Sequence, residues 1–159
     1  NAYNAQRVGA ATVALGLAEG AYSKALDYAG KREQFGRPIS EFQGLQWMLV
    51  DMNTRAAAAK GLIYEAAVSG GDSFPDPLLA AQAKIFASEM AITVTNDALQ
   101  IFGARGYSRN QPLERMVRDA RMFTIGGGTA QILRNFAASQ ILGRKLPQTR
   151  DGFLNIEPR

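Results

Sequence analysis

The sequence predicts an all-α fold, an antiparallel up-and-down helical bundle, and three observations carry that expectation. Two long stretches place apolar or small residues at alternating spacings of three and four, and a third places them at sevenfold spacing, each of which makes one face of a helix. No stretch alternates convincingly as a strand. The connections are short and rich in glycine, proline and polar residues, and short connections between long helices favour antiparallel neighbours.

The first stretch carries Val8, Ala11, Leu15, Ala18, Tyr22, Ala25 and Ala29 on one face, with Gly30 as its stop. Residues 31–40 form a loop of turn and polar residues, with Pro38 near the next start. The second stretch carries Phe42, Leu45, Leu49, Met52, Ala56, Ala59 and Ile63 and extends to Val68. Residues 69–77, with two glycines and two prolines, are a connection. The third stretch has Ile85, Ile92 and Leu99 at sevenfold spacing and stops near Gly103. The expected long helices are therefore 2–30, 38–68 and 77–103, each about 40 Å long at ~1.5 Å per residue. Residues 104–111 read as a loop, and Pro112 opens a shorter helix to Phe123. Gly126, Gly127 and Gly128 break the pattern, which resumes from Thr129 to Leu142 and is closed by Gly143 and Pro147. The bundle domain is thus expected over 1–143, followed by an irregular tail over 144–159. Val13, Leu17, Trp47 and Val50 lie off the main stripes, which predicts a second buried face against another copy or another domain.

Composition narrows the chemistry. With 159 residues, 47% apolar and 20% charged, the chain is long enough for one globular domain with a core. It has no cysteine and no histidine, which excludes disulfides, thiol nucleophiles, imidazole acid–base chemistry and most zinc sites, so no metal is expected. Absent cysteine fits a reducing compartment. No apolar run is long enough to span a bilayer and no secretory pattern opens the chain. The expected location is the cytoplasm, or the mitochondrial matrix for a eukaryotic source, without a membrane partner. The chain opens on Asn1 rather than Met and runs straight into helix pattern, which reads as a piece of a longer protein. Net charge is +4, with small basic clusters only at 30–37 and 115–121. Such clusters suit a phosphate-bearing small molecule better than a duplex, and no nucleic acid is expected; an ordinary solvated surface explains the charge equally well.

Several residues admit both a chemical and a structural reading. The glycine run can take backbone angles closed to other residues and, opening a helix, can present N–H groups to an anion. It also reads as a plain helix break capped by Thr129. Arg32 has a fork that matches phosphate oxygens, or is a loop arginine in solvent. Phe35 offers a flat apolar surface, or anchors its loop on the bundle. Gln34, Gln43 and Gln100 offer neutral donors and acceptors, or lie idle at the surface.

Arg32-Glu-Gln-Phe-Gly-Arg-Pro-Ile-Ser-Glu-Phe-Gln43 resembles the flavin-proximal loop and helix start of acyl-CoA dehydrogenases. Gln100-Ile-Phe-Gly-Ala-Arg-Gly-Tyr107, followed by Pro112-Leu-Glu-Arg115 and Arg118-Asp-Ala120, is similar to their second signature. Gly128-Thr129-Ala-Gln131 sits where their third signature lies. The three motifs, in order on a matching helical plan, resemble the C-terminal helical domain of that family from Asn1 to Gly143. The resemblance implies FAD as cofactor, shared between subunits. It places Arg32 on the pyrophosphate, Phe35 on the adenine, and Gln34, Gln43, Gln100, Gly103, Ala104, Thr129 and Gln131 around the same FAD. Ala104 stands where the family has a second glycine. The resemblance further implies an acyl-CoA substrate near Asn4, Arg7 and Gly128, a homodimer or homotetramer, and electron-transfer flavoprotein as the partner of a dehydrogenating member.

The resemblance also exposes a departure. Most members carry a glutamate immediately before the Gly-Thr of the third signature, where it removes the α-proton of the thioester; here that position is Gly127. Others carry it on the first helix, immediately before an arginine; here that position is Gln6, before Arg7. Neither residue can serve as a general base near neutral pH, so no catalytic set is complete. Three functions remain open. The chain is the FAD- and acyl-CoA-binding, oligomerising domain of an α,β-dehydrogenase with a base from elsewhere. Alternatively it belongs to a base-less lyase such as the 3-sulfinopropionyl-CoA desulfinases, which residues 1–52 resemble in texture. The third function is a non-catalytic assembly subunit. The fragment alone is expected to be inactive.

Overall fold

The computed structural model describes residues 2–146. The order is α1 (Ala2–Lys31), β1 (Glu33–Gln34), β2 (Arg37–Pro38), a 3-10 turn (Ile39–Glu41), α2 (Gln43–Val68), α3 (Pro77–Phe102), α4 (Ala104–Tyr107), α5 (Leu113–Phe123) and α6 (Ala130–Ile141). The Asn4 amide donates to the Pro75 carbonyl at one end of the bundle (3.1 Å), and Tyr28 stacks on Phe102 at the other (4.0 Å between rings). α1 and α3 therefore run in the same direction, and α2 returns between them, as an up-and-down bundle requires. α5 and α6 form the split fourth helix, both packed on α3.

The expected faces of α1 and α2 are the buried ones. Ala11, Leu15, Ala18, Ala25 and Ala29 on α1, and Leu49, Met52, Ala56, Ala59 and Ile63 on α2, lie in one core. The alanines let the helix axes approach closely. α3 opens on Pro77, with the Asp76 carboxylate accepting from the Leu78 and Leu79 N–H groups at 2.9 Å each. Its core face differs from the expected one. Ile85, Ile92 and Leu99 are only half-buried, while Ala80, Ala83, Lys84, Ala87, Ala91, Val94, Ala98 and Ile101 are buried. α3 is touched by α1, α2, α5 and α6, so its buried surface is broad, leaving exposed a stripe through Gln82, Phe86, Thr93, Asn96 and Gln100, and the sevenfold run marks the flank of that surface.

Other boundaries shift for local reasons. Gly30 keeps a negative φ and α1 passes through it to Lys31. α2 starts at Gln43 and not near Pro38, because residues 33–38 form a hairpin with Glu33 opposite Pro38 and Gln34 opposite Arg37. Its turn residues, Phe35 (φ 55°) and Gly36 (φ 77°), both have positive φ, as a tight two-residue hairpin turn demands. Ala104–Tyr107 is a helical turn in place of a loop. Of the expected tail, 147–159 lies outside the described residues, as does Pro147.

Val13, Trp47 and Val50 are exposed and lie outside the core of this chain, whereas Leu17 is half-buried and packs against it. Among the described residues no helix is long and apolar enough to cross a membrane, and no group of three Asp or Glu side chains could hold a metal ion. Gly61, exposed within α2, has nothing within 4 Å of where a Cβ would stand. Gly61→Ala is expected to stabilise the chain by about 0.4–1 kcal/mol through helix propensity. A thermal melt checks it as a rise of about 1–4 °C.

Candidate functional site

After α5 the Gly126 N–H still bonds back to the Met122 carbonyl at 2.8 Å. Gly127 (φ 68°) and Gly128 (φ 95°) then turn the chain through angles that disfavour any side chain. The Ala130 N–H closes the turn on the Thr124 carbonyl at 3.0 Å, and Thr129 Oγ1 accepts from the Ile132 N–H at 3.2 Å, capping α6. The structural reading of the glycine run, a capped helix break, is what the geometry shows. The break is capped by Thr129, and the N–H groups of Gly127, Gly128 and Thr129 have no acceptor among the described residues. Consecutive free donors at the N-terminus of a helix suit a carbonyl or anionic oxygen.

Behind the turn stands Lys84 of α3, 1% exposed, whose Nζ donates to the Gly128 carbonyl at 2.6 Å. Next to it is Arg7 of α1. Its Nη1 donates to Asn4 Oδ1 at 2.9 Å and its guanidinium lies 4.5 Å from the Phe136 ring centre, while Nε is buried with no partner. Burial pushes the Arg7 pKa down, and burial followed by the charge of Arg7 does the same to Lys84. Among the described residues neither cation has a carboxylate within ion-pair distance. Asn4 and Arg7 are thus linked to Gly128 through a lysine that sequence reasoning did not single out. A charged residue inside the alanine-rich face of α3 was the available signal. Gln6 is exposed on α1, and Gly127 faces open space.

A carboxylate beside the turn is Glu89, which lines a cleft of about 270 Å³ with Arg121, Thr129 and Gln131. Its two carboxylate oxygens accept from Arg134 at 2.7 Å each. Those bonds hold its carboxyl below the usual range, against the upward push of burial. A carboxylate so paired is a poor proton acceptor.

The remaining residues gather elsewhere. Gln34, Phe35 and Gln100 line an apolar cleft of about 400 Å³ with Ile39, Phe42, Leu45, Met48 and Ile101. Phe35 is 92% exposed and meets Phe42 edge-on, so it does not anchor its loop on the bundle. Arg32 lines a third cleft, of about 580 Å³, with Lys24, Tyr28, Lys31 and Arg105. Its guanidinium has no hydrogen-bond or ion-pair partner among the described residues. Gln43, Gly103 and Ala104 are exposed and line none of these clefts. α1 separates Arg7 from Arg32 by about 37 Å, at ~1.5 Å per residue. One chain therefore does not unite the loop of Arg32 and Phe35 with the glycine turn.

Residues 1–142 match the family model described as acyl-CoA dehydrogenase, C-terminal domain. The 3-sulfinopropanoyl-CoA desulfinase of Cupriavidus necator is 66% identical over 154 residues, which are 97% of this chain and 39% of that protein. The short-chain-specific acyl-CoA dehydrogenase of Clostridium acetobutylicum is 42% identical over 135 residues, covering 85% of this chain and 36% of that protein. Among solved structures, butyryl-CoA dehydrogenase from Megasphaera elsdenii superposes with a TM-score of 0.86 at 38% identity, over 88% of this chain and 37% of that one. The chain thus spans less than two-fifths of the length of these relatives. It belongs to the acyl-CoA dehydrogenase family, whose C-terminal helical domain it forms.

Proposed function

We propose that this domain supplies FAD- and acyl-CoA-binding surfaces to a flavoprotein that breaks a bond at the β-carbon of a thioester without oxidising it, in the manner of a 3-sulfinopropanoyl-CoA desulfinase. The observation that carries the reading is the missing base. Gln6 and Gly127 cannot take a proton, and Glu89 is tied to Arg134. The higher identity to a desulfinase than to a dehydrogenase supports the same choice.

The residues present fit FAD. The Arg32 guanidinium has no ion-pair partner among the described residues, and Phe35 holds a positive φ that an aromatic residue rarely takes, presenting its ring outward. Both suit a phosphate and a flat ring arriving from outside the chain. The distance from Arg32 to Arg7 favours an FAD shared between copies, with each loop serving the neighbour's turn. Trp47 and Val50, exposed on α2, suit the pairing of such copies in a dimer or tetramer. FAD, when bound, would supply the redox-active ring chemistry. The free N–H groups at the turn bind the thioester carbonyl, and Arg7 adds positive charge nearby. In desulfination the C–S bond breaks with its electron pair left on the β-carbon, which takes a proton, and the sulfur leaves as sulfur dioxide to be hydrated to hydrogensulfite. No electrons leave the active site, so electron-transfer flavoprotein would be needed only by an oxidising enzyme.

The full-length protein is expected to release hydrogensulfite from 3-sulfinopropanoyl-CoA and to keep its flavin oxidised with butanoyl-CoA under anaerobic conditions. Rapid bleaching by butanoyl-CoA would establish the dehydrogenase reading instead, and a protein that binds no FAD would establish the assembly subunit. Arg32→Ala is expected to weaken FAD retention by about 1.5–3 kcal/mol, the contribution of a charge-assisted hydrogen bond. Flavin fluorescence on dilution measures it, and unchanged affinity would mean that the loop does not reach the cofactor.

A further inference from the structure

We propose that Lys84 is a positioning residue that sets the direction in which the glycine turn presents its N–H groups. The peptide between Gly128 and Thr129 is trans, so its carbonyl and its N–H point to opposite sides. Lys84 Nζ draws the Gly128 carbonyl inward at 2.6 Å. The Thr129 N–H is thereby aimed away from α3, where it has no acceptor among the described residues. Gly128, at positive φ and without a side chain, leaves that peptide free to rotate on its N-terminal side unless something holds it. Among the described residues Lys84 is the only side chain that bonds to the backbone between Gly126 and Gly128.

The burial of this ammonium is not accounted for by stability. It is almost fully removed from solvent, feels the charge of Arg7, and has no carboxylate within ion-pair distance among the described residues. A buried charge without a counter-charge is destabilising, and an apolar side chain of similar length would fill the same space without that penalty. The single contact it gains lies on the turn that the proposed thioester site uses, and the role rests on that reading. Lys84 is not a catalytic residue, since the Gly128 carbonyl stands between it and any ligand at the outer face of the turn.

The test is Lys84→Met in the full-length protein, with three readouts. Thermal stability is expected to be equal to or above that of the parent. Amide exchange in peptides covering 124–133 is expected to quicken, because the Ala130 and Ile132 N–H bonds depend on the turn's shape. Anaerobic binding of butanoyl-CoA is expected to weaken about 3- to 10-fold, the scale of one hydrogen bond, while its thioether analogue, which lacks the carbonyl, binds unchanged. Lost folding, or lower stability with unchanged exchange, would show a purely structural lysine and overturn the proposal. Equal weakening of both ligands would overturn it too, since the carbonyl would not be what the turn recognises. Bleaching of the flavin by butanoyl-CoA would refute the base-less reading, while exchange and stability would still report on Lys84.

Discussion

Gln6→Glu in the full-length protein is expected to speed flavin reduction by butanoyl-CoA about 10²- to 10⁴-fold, the usual contribution of a positioned base. Gln6 lies within α1, exposed, immediately before Arg7. Glutamate has nearly the shape of glutamine and the same helix propensity, so the change adds a titratable group and almost nothing else. Gly127→Glu meets a different constraint. Nothing lies within 4 Å of the new Cβ, but φ is 68°, which an L-residue holds at a cost of about 1–2 kcal/mol. The second variant should therefore gain less activity and lose stability. Arg7 and Lys84 have no carboxylate within ion-pair distance among the described residues, so a new carboxylate that comes near them has its pKa lowered. The base would be ionised at neutral pH, so the rate should rise with pH through that lowered pKa and then level. Anaerobic stopped-flow absorbance decides the matter. If neither variant bleaches faster than the parent, the vacant carboxylate is not what keeps this member from oxidising its thioester.

Legibility in the sequence followed the environment of each element. α1 and α2 present one face to the core, so spacings of three and four identify Ala11 to Ala29 and Leu49 to Ile63 correctly. α3 is packed on several sides, and the sevenfold run of Ile85, Ile92 and Leu99 marks its half-buried flanks. The hairpin at 33–38 has two residues per strand, too few for any alternation to show. The glycine turn was legible because two of its three angles exclude other residues. Lys84 was not, because a lysine in a helix ordinarily reads as solvent-facing, and only the fold reveals that its head reaches across to a carbonyl of the turn. The pairing of Glu89 with Arg134 escaped for a similar reason, as it joins residues 45 positions apart on two helices. The residues assigned to FAD were recognised through their motifs, but their division among separate clefts depends on the length of α1, which no motif conveys.

Gly106→Ala is expected to destabilise the domain by about 1–3 kcal/mol, the range for overpacking a site that cannot yield. Gly106 is buried in α4, where its N–H bonds to the Gly103 carbonyl at 2.9 Å. A Cβ there would stand 2.7 Å from the Leu99 carbonyl oxygen, 2.8 Å from Phe102 Cβ and 3.3 Å from Leu99 Cα. None of these atoms is the end of a flexible side chain. Relief requires α4 to lift from the last turn of α3, or that turn to tilt. Tilting disturbs the stack of Phe102 on Tyr28 that closes this end of the bundle. Lifting moves Gly103, whose backbone (φ 59°, ψ −137°) only glycine holds readily, together with Ala104 and the Gln100 rim of the apolar cleft. The loss of stability should appear in a thermal melt as about 2–4 °C per kcal/mol. In the full-length protein it should be accompanied by weaker FAD retention, because the disturbed residues are those proposed to face the cofactor. Gly61→Ala, where no atom is approached, is the matched control and shifts the melt upward. Equal melting of the Gly106→Ala variant and the parent would mean that α4 has room to move, and the close packing of this signature against α3 would then have no part in shaping the cleft.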